Sequence, residues 1–465
     1  MIYQYLELRV RNEIHILKKL YSSEECKINY LVDLLEVTKP TIYNYVSEMS
    51  YLLEKEINVK NNYVLLEDLG NYEADLHKLY QSSSFLKIFS FFLEEQSNKN
   101  FKKFIQNNFL SRAKAYTVRK QVIDYLSKNG LEIGIHNNLT GDPLKIVLLK
   151  AKFETIFGIK VVPEYIYNAY KESVDALLEK CTVPYLSSYN AKMFESVVYQ
   201  LICTDNYFDF IHSIKFNELF SIPESVNKSI VDFTKKIYQE SEIEIKRHNL
   251  FFFFRLFTTS AFVVQDKEIL QLDIELIQLL TEFKKEFGST LIDSKFFYYL
   301  LLDCLKIDQT GCYEFLVEEK YNRECEPEIL SKVLKIVEKW LENPEHFLDE
   351  NVVHFFCLKL EEIFYLISKM KINIYSDSYM EYLDIYYFLR NNLKVDIEIV
   401  DVWIYSLAQL TILDSKTRII VTSVKNTNQF SDHPENVFFI EMPFNQQNIN
   451  GLNKKILTYL IDHQQ

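Results

Sequence analysis

The sequence predicts a mainly α-helical protein of several domains that ends in a small α/β domain with a parallel sheet. Its 465 residues correspond to about three to four domains of ordinary size. It contains only eight glycines and nine prolines, which is too few for a loop-rich β protein. Apolar residues recur at helical spacing as far as about Met370, and short strand-like runs begin at Lys371. A helical body is therefore expected before a compositionally different C-terminus.

The composition is typical of a cytoplasmic protein without a membrane span. Hydrophobic residues make up 48% of the chain, which is enough to build several cores. The seven cysteines include no CxxC pair, so neither a disulfide framework nor a zinc knuckle is expected. The N-terminus has no signal-peptide pattern. The most apolar stretch, residues 250–264, is interrupted by Arg255 and predicts a buried helix.

The charge is distributed unevenly along the chain. The formal net charge is −13, yet residues 1–157 hold 21 Lys and Arg against 19 Asp and Glu. Within them, residues 99–128 hold eight basic residues and one acid, Asp124. A local basic stretch on an acidic chain is typical of a DNA-reading module attached to a regulatory body. A solvated helix face is the ordinary alternative.

Residues 1–68 predict a first winged helix-turn-helix module. Residues 6–21 and 28–36 carry apolar side chains at helical spacing. Thr38 then precedes a further helix as its predicted N-cap, with a hydroxyl that accepts amide protons of the first turn. Pro40 suits that first turn, where its missing N–H costs nothing. The exposed face of this helix carries the candidate DNA contacts Lys39, Thr41, Tyr43 and Asn44.

A β-hairpin over residues 57–66, turning at Asn61-Asn62, would form the wing of this module. In a helix-turn-helix, the second helix enters the major groove with its N-terminal residues near the bases. Asn and Lys can hydrogen bond to base edges, and Thr and Tyr can bind phosphates. Amphipathic helix pairs are also common in ordinary all-α proteins, so that alternative stays open.

Residues 69–160 predict a second module of the same kind with more basic residues. Residues 85–95 form an apolar helix, residues 100–108 a short positioning helix, and residues 109–129 a long helix with Ser111 as N-cap. The apolar face of the long helix consists of Ala115, Val118, Val122 and Leu126. Its other faces carry the candidate DNA contacts Ser111, Arg112, Lys114, Thr117, Arg119 and Lys120. A strand, a turn at Asn137-Asn138 and an exit at Gly141-Asp142-Pro143 predict a second wing.

Three motifs of this module resemble the second helix-turn-helix of the Mga/AtxA family of transcription regulators. They are S-R-x-x-x-Y at residues 111–116, a long helix ending in NGLEI, and the wing sequence NNLTGD. A basic residue is expected directly after the tyrosine, where this chain has Thr117. The resemblance implies a DNA-binding transcription activator.

Residues 163–370 predict eight helices, which suit two all-α bundles at residues 161–266 and 267–370. Their order and length are similar to the paired phosphotransferase-system regulation domains of that family. The resemblance implies histidine phosphorylation by sugar-transport phosphocarriers, and the candidates are His212, His248, His346 and His354. A single helical histidine is more often a capped or surface residue, so that alternative stays open for each.

Residues 371–465 alternate strands and helices, which predicts a small α/β domain with a parallel sheet. The domain resembles the enzyme IIB component of sugar phosphotransferase systems. That enzyme carries a phosphorylated cysteine in the loop after its first strand, whereas this loop is Ser376-Asp377-Ser378. The resemblance therefore implies docking or dimerisation without transfer chemistry.

Together these patterns predict a cytoplasmic, DNA-binding transcription regulator that responds to carbohydrate status. The expected partners are double-stranded DNA, a second copy of the chain and phosphocarrier proteins, with no cofactor and no metal. An RNA-binding antiterminator is the main alternative, because such proteins also carry paired regulation domains. Its RNA-binding module is a small β domain, however, whereas residues 1–130 predict helices. An enzyme is disfavoured, since the chain has no GxGxxG, P-loop, HExxH or nucleophile elbow.

Overall fold

The computed structural model describes residues 2–23, 25–67, 70–94, 99–182, 185–203, 222–258, 274–288, 295–317, 325–340, 349–367, 371–376, 379–393, 398–404, 418–422, 437–440, 444 and 446–462. The chain divides into two compact units. The first unit is Met1–Val263 with Cys312–Lys320, and the second is Val264–Gly311 with Tyr321–Gln465. Long helices dominate both units, and the second contains a parallel sheet near its C-terminus, which confirms the predicted fold class.

The predicted first helix-turn-helix module, residues 1–68, combines three helices with a small antiparallel sheet in its described residues. After a 3-10 turn come α1 (Leu8–Ser23), β1 (Glu25–Lys27), α2 (Ile28–Leu35), α3 (Lys39–Leu53), β2 (Ile57–Lys60) and β3 (Tyr63–Leu66). Strand β3 lies between β1 and β2. Asn61 and Asn62 have φ of 51° and 65°, as the turn of a two-residue hairpin requires, which confirms the predicted hairpin over residues 57–66.

The second module contains the predicted helices and two further ones. It consists of α4 (Tyr72–Ser82), α5 (Ser84–Leu93), α6 (Phe101–Asn107), α7 (Arg112–Lys128), β4 (Leu131–Ile133), β5 (Leu139–Gly141) and α8 (Pro143–Phe157). The sequence pattern does not predict α4 or α8. Residues 147–153 of α8 are all buried, so this helix lacks the polar face that makes a helix recognisable. The Asp142 side chain accepts a hydrogen bond from the Leu144 amide (2.9 Å) and caps α8.

The rest of the first unit is a bundle of α9 (Glu164–Thr182), α10 (Ser188–Cys203), α11 (Glu224–Ser241) and α12 (Arg247–Phe257). Helix α10 packs on α8, and the Glu154 carboxylate of α8 accepts hydrogen bonds from the Val161 amide (3.0 Å) and the Ser196 hydroxyl. The bundle and the second module therefore share one core. The predicted apolar helix is buried in its described part, as at Phe253 and Phe254. Among the described residues, we find no helix with the length and hydropathy of a membrane span.

The second unit begins with α13 (Ile274–Phe287) and α14 (Lys295–Thr310). The chain then forms a single helical turn, α15 (Tyr313–Leu316), which belongs to the first unit. Helices α16 (Pro327–Trp340) and α17 (Glu350–Ile367) complete the second bundle, in which α14 and α16 both pack on α17.

The C-terminal elements are β6 (Lys371–Tyr375), α18 (Tyr379–Asn392), β7 (Glu398–Ile404), β8 (Arg418–Thr422), β9 (Val437–Phe439) and α19 (Gln446–Asp462). The strand order is β7-β6-β8-β9 and every neighbouring pair is parallel, which confirms the predicted α/β arrangement. Ser376, directly after β6, is buried. Asp377 and Ser378 of the predicted loop lie outside the described residues.

Candidate nucleic-acid interface

Helix α7 is fixed in the second module by its cap and by one apolar face. The Ser111 side chain accepts a hydrogen bond from the Lys114 amide (3.3 Å), which confirms the predicted N-cap. The predicted apolar face is buried, and Tyr125 is buried with it; helix α5 packs against α7. The opposite face of α7 is therefore held towards solvent from its first turn.

Within the described part of the chain, that exposed face carries two cations without an ion pair. Arg112 and Lys120 are exposed and form no ion pair within the described part of the chain. At 100° per residue, Lys120 lies near the middle of the exposed face and Arg112 at its edge. Thr117, also exposed, donates its hydroxyl to the Ala113 carbonyl (3.0 Å), which leaves the hydroxyl oxygen able to accept.

Two other predicted contacts of α7 already have partners inside the protein. The Lys114 Nζ atom lies 3.6 Å from a carboxylate oxygen of Glu7. The Arg119 guanidinium is half-buried and stands 5.9 Å and 5.8 Å from the ring centres of Phe92 and Phe101. These two cations contribute less free charge to the exposed face than Arg112 and Lys120 do.

The first module presents α3 in a similar way. Lys39, Tyr43 and Asn44 are exposed, while Thr41 is half-buried. The predicted cap is wrong in its contact: Thr38 occupies the N-cap position, but its hydroxyl lies 2.9 Å from the Thr41 hydroxyl and bonds no amide. Thr41 lies one turn further along, so its hydroxyl is within reach of the Thr38 hydroxyl and takes the place of the amide. The predicted inward face is buried and consists of Ile42, Val46, Met49 and Leu53.

Contacts between the two modules fix their geometry within the first unit. The Tyr5 hydroxyl donates to the Asp124 carboxylate of α7 (2.9 Å). The Glu7 carboxylate accepts from the Ser83 hydroxyl (2.6 Å) and the Ser84 amide (2.9 Å) at the start of α5. Burial raises the pKa of the Glu7 carboxyl, but the hydrogen bonds from Ser83 and Ser84 more than offset it and leave the pKa below its ordinary value. The N-terminal segment thus ties the first module to α5 and α7.

The second wing is braced at its tip by a buried lysine. The Asn137 side chain donates to the Lys99 carbonyl (3.1 Å), and the Lys99 amine lies 3.5 Å from the Asn137 carbonyl oxygen. Asn137 has φ of +60°, so the predicted turn position is confirmed. Ile135 and His136 are exposed at the tip.

The comparison with protein families decides what this module is. Residues 72–153 match the Mga helix-turn-helix domain. The matched span begins at the first residue of α4 and ends within α8, so it contains α6, α7 and the second wing. The Mga-type module supports assignment of the chain as a DNA-binding transcription regulator. No curated protein matches the chain at a significant level.

Several exposed residues of the Mga-type module were not among the predicted DNA contacts, although the basic stretch and the S-R-x-x-x-Y motif contained them. Tyr116 is exposed on α7 with its ring edge-on to Phe101 (5.7 Å between ring centres), and Lys102 and Lys103 are exposed on α6. Tyr116 ends the S-R-x-x-x-Y motif and precedes Lys120 by one helical turn, and that spacing was the signal available in the sequence. These side chains widen the candidate interface around α7.

The candidate phosphorylation sites are distributed over both bundles. His248 is half-buried in α12. His354 is half-buried in α17, and its Nδ1 atom lies 3.5 Å from the Cys325 sulfur. His212 and His346 lie outside the described residues. Among the residues that the structure describes, no group of three or more His, Cys, Asp or Glu is arranged to hold a metal ion.

Proposed function

We propose that the chain is a transcription activator of the Mga/AtxA type that inserts α7 into the major groove of duplex DNA. The observation that carries this proposal is the exposed face of α7 in the module that matches the Mga domain. Its N-terminal half presents Arg112 and Lys120, which form no ion pair with the residues that the structure describes, and its buried face fixes the direction in which they point. This is the arrangement with which a recognition helix meets bases and phosphates.

Within that interface the cations and the polar side chains have different roles. Arg112, Lys114 and Lys120 bind phosphate, because they lie at the middle and edges of an exposed helix face. Thr117 is the side chain of α7 best placed for a base edge, since it follows Ser111 by less than two turns and is exposed. Helix α3 supplies a second set of contacts through Lys39, Tyr43 and Asn44.

We further propose that the protein acts as a homodimer and has no enzymatic activity. A dimer would place two such modules on paired half-sites, which strengthens binding without new contacts per subunit. The α/β domain, whose sequence from residue 371 onward contains no cysteine, is proposed as the assembly surface. The cytoplasm is the compartment in which DNA and phosphocarrier proteins would both be available.

Regulation by phosphocarrier proteins is proposed at the helical bundles. His354 is better supported than His248, because a phosphate on His354 would add about two negative charges beside the Cys325 sulfur. That contact would have to open, and the packing between Cys325 and α17 would change with it. Phosphate transfer from a phosphocarrier protein to the purified protein should be lost in His354→Ala and kept in His248→Ala. The reverse result would move the phosphorylation site to α12.

DNA binding is tested with the full-length protein in a gel-shift assay on duplex DNA from the promoters of neighbouring genes. Thr117→Glu puts a negative charge on the exposed face of α7 and should weaken binding by at least about tenfold. Thr281→Glu is the matched control, because Thr281 is also exposed, lies in α13 and makes the same bond to the carbonyl four residues earlier (2.8 Å). Equal binding by both variants, or binding of an RNA hairpin in preference to duplex DNA, would contradict the proposal.

A further inference from the structure

The core of the first unit includes a helical turn from a distant part of the chain. Helix α15 follows α14 in the sequence, yet the segment Cys312–Lys320 belongs to the first unit. Cys312 and Phe315 are each only 1% exposed and are part of that unit's hydrophobic core. Helix α15 packs on α8, the last helix of the second helix-turn-helix module. An apolar anchor therefore holds this turn against the DNA-binding module.

A buried lysine of α8 donates a hydrogen bond to the backbone of this turn. Lys152 is 0% exposed, and its Nζ atom donates to the Glu314 carbonyl oxygen at 2.6 Å. A buried ammonium group needs such acceptors, because it has lost its hydration. The carbonyl groups at the end of a helical turn have no hydrogen-bond donor within the turn. The Lys152 ammonium group therefore gains an acceptor, and the Glu314 carbonyl gains a donor.

The side chain of the same residue reaches the recognition helix. The Glu314 carboxylate accepts a hydrogen bond from the Tyr125 hydroxyl at 3.0 Å, across 189 residues of sequence. Tyr125 is 2% exposed and lies on the buried face of α7, behind the face that carries Lys120. Glu314 thus joins α8 through its carbonyl and α7 through its carboxylate.

We infer that Glu314 is a positioning residue for the recognition helix α7, acting through Tyr125. This inference rests on the proposed DNA binding by α7. Helix α7 is held at its buried face by α5, near its C-terminal end by Tyr5, and from behind by Glu314. Loss of the Glu314 carboxylate leaves the Tyr125 hydroxyl without this acceptor and frees α7 to shift relative to α8. Base and phosphate contacts on the opposite face then lose their alignment.

A positioning role differs from a DNA contact in its response to salt. Glu314 is behind α7 and carries a negative charge, so its removal takes no cation from the DNA face. The full-length Glu314→Ala variant should bind duplex DNA about tenfold more weakly at every salt concentration, with an unchanged salt slope. Glu314→Gln keeps an oxygen that can accept from Tyr125 and should restore most of the affinity.

The pathway through Tyr125 is tested by a double-mutant cycle. Tyr125→Phe should weaken binding as much as Glu314→Ala does, and the double variant should be no weaker than either single variant. Tyr21→Phe is the matched control, because the hydroxyl of Tyr21, in α1, also donates to a carboxylate, that of Asp75 in α4 (2.6 Å). Tyr21→Phe should leave the ratio of the DNA affinities of Glu314→Ala and Glu314→Gln unchanged. Additive losses, or full affinity in Glu314→Ala, would overturn the inference.

Amide hydrogen exchange separates this inference from the proposed function. If the wild-type protein binds no DNA, the proposed function fails, but the positioning contact still predicts faster exchange in α7 of Glu314→Ala than of Glu314→Gln. Equal exchange of α7 in both variants overturns the inference whatever the DNA result. If Glu314→Ala does not fold, the comparison of Tyr125→Phe with wild type decides it by the same measurement.

Discussion

Replacing Lys120 by alanine should reduce the salt slope of DNA binding by the amount that one phosphate contact contributes. Each phosphate that a lysine neutralises contributes about 0.9 to the slope of log K against log salt. Between 50 and 200 mM salt, one contact therefore accounts for about 3.5-fold of the loss in affinity. Lys120 is exposed without an internal ion pair in the described residues, so we expect the full effect, and the same for Arg112.

Lys114→Ala should give a smaller change than Lys120→Ala. Its Nζ atom lies 3.6 Å from the Glu7 carboxylate, which already compensates part of its charge. Lys128→Ala is the matched control on the same helix, because Lys128 is paired with Asp124 at 2.8 Å in the last turn of α7. It should leave the slope nearly unchanged.

Fluorescence anisotropy with a promoter duplex and a scrambled duplex, each at four salt concentrations, measures these slopes. Loss of a phosphate contact weakens binding to both duplexes alike. A Lys120→Ala protein that keeps the wild-type slope would show that α7 does not face the DNA backbone at this position. A change in the preferred duplex would instead make Lys120 a base-reading residue and refute its assignment to phosphate.

Three further outcomes follow from contacts elsewhere in the chain. Burial raises the pKa of Glu13 to about 7, so the folded state binds this proton more tightly than the unfolded chain does. The stabilising contribution of the protonated carboxyl is therefore present at low pH and is lost as the pH rises through about 7. In denaturant titrations, Glu13→Gln should reduce the fall in the free energy of unfolding between pH 5 and 8 by at most about 3 kcal/mol. Gly158→Ala should cost at least about 1 kcal/mol in the same titration, because φ is +63° and the new Cβ atom would collide with the His77 ring. Deleting residues 371–465 should leave a largely monomeric protein with weaker DNA binding, and an undiminished dimer in sedimentation would assign assembly to the helical bundles instead.

The second module was largely predictable because its signals are local. Ser111, the apolar spacing behind it and the Asn137 turn each depend on neighbours within a few residues. Helix α8 has no such signal, because its lysines at positions 150 and 152 are buried among apolar side chains instead of marking a solvent face. Strand β1 is three residues long, which is too short to show alternation.

Contacts of the candidate interface were less predictable than its elements. Helical spacing places Lys114 and Arg119 at the edges of α7, but only the fold brings Glu7 and Phe101 to them. The same limit applies to Thr38, whose residue type predicts a cap while a neighbouring hydroxyl takes the bond. No periodic pattern could place Glu314 beside Tyr125, because that pairing depends on how the chain returns to the first unit.

The return of α15 to the first unit also sets an order of events during protein synthesis. Tyr125 is made 189 residues before Glu314, an interval of about 10–40 s at about 5–20 residues per second on the ribosome. Throughout that interval the emerging first unit lacks Phe315 and the Glu314 carbonyl that accepts a hydrogen bond from Lys152. We expect chains stalled before residue 312 to be cut by protease within α7 more readily than chains stalled after α15 has left the exit tunnel. Equal cleavage of the two would show that the nascent unit closes its core without waiting for the turn that completes it.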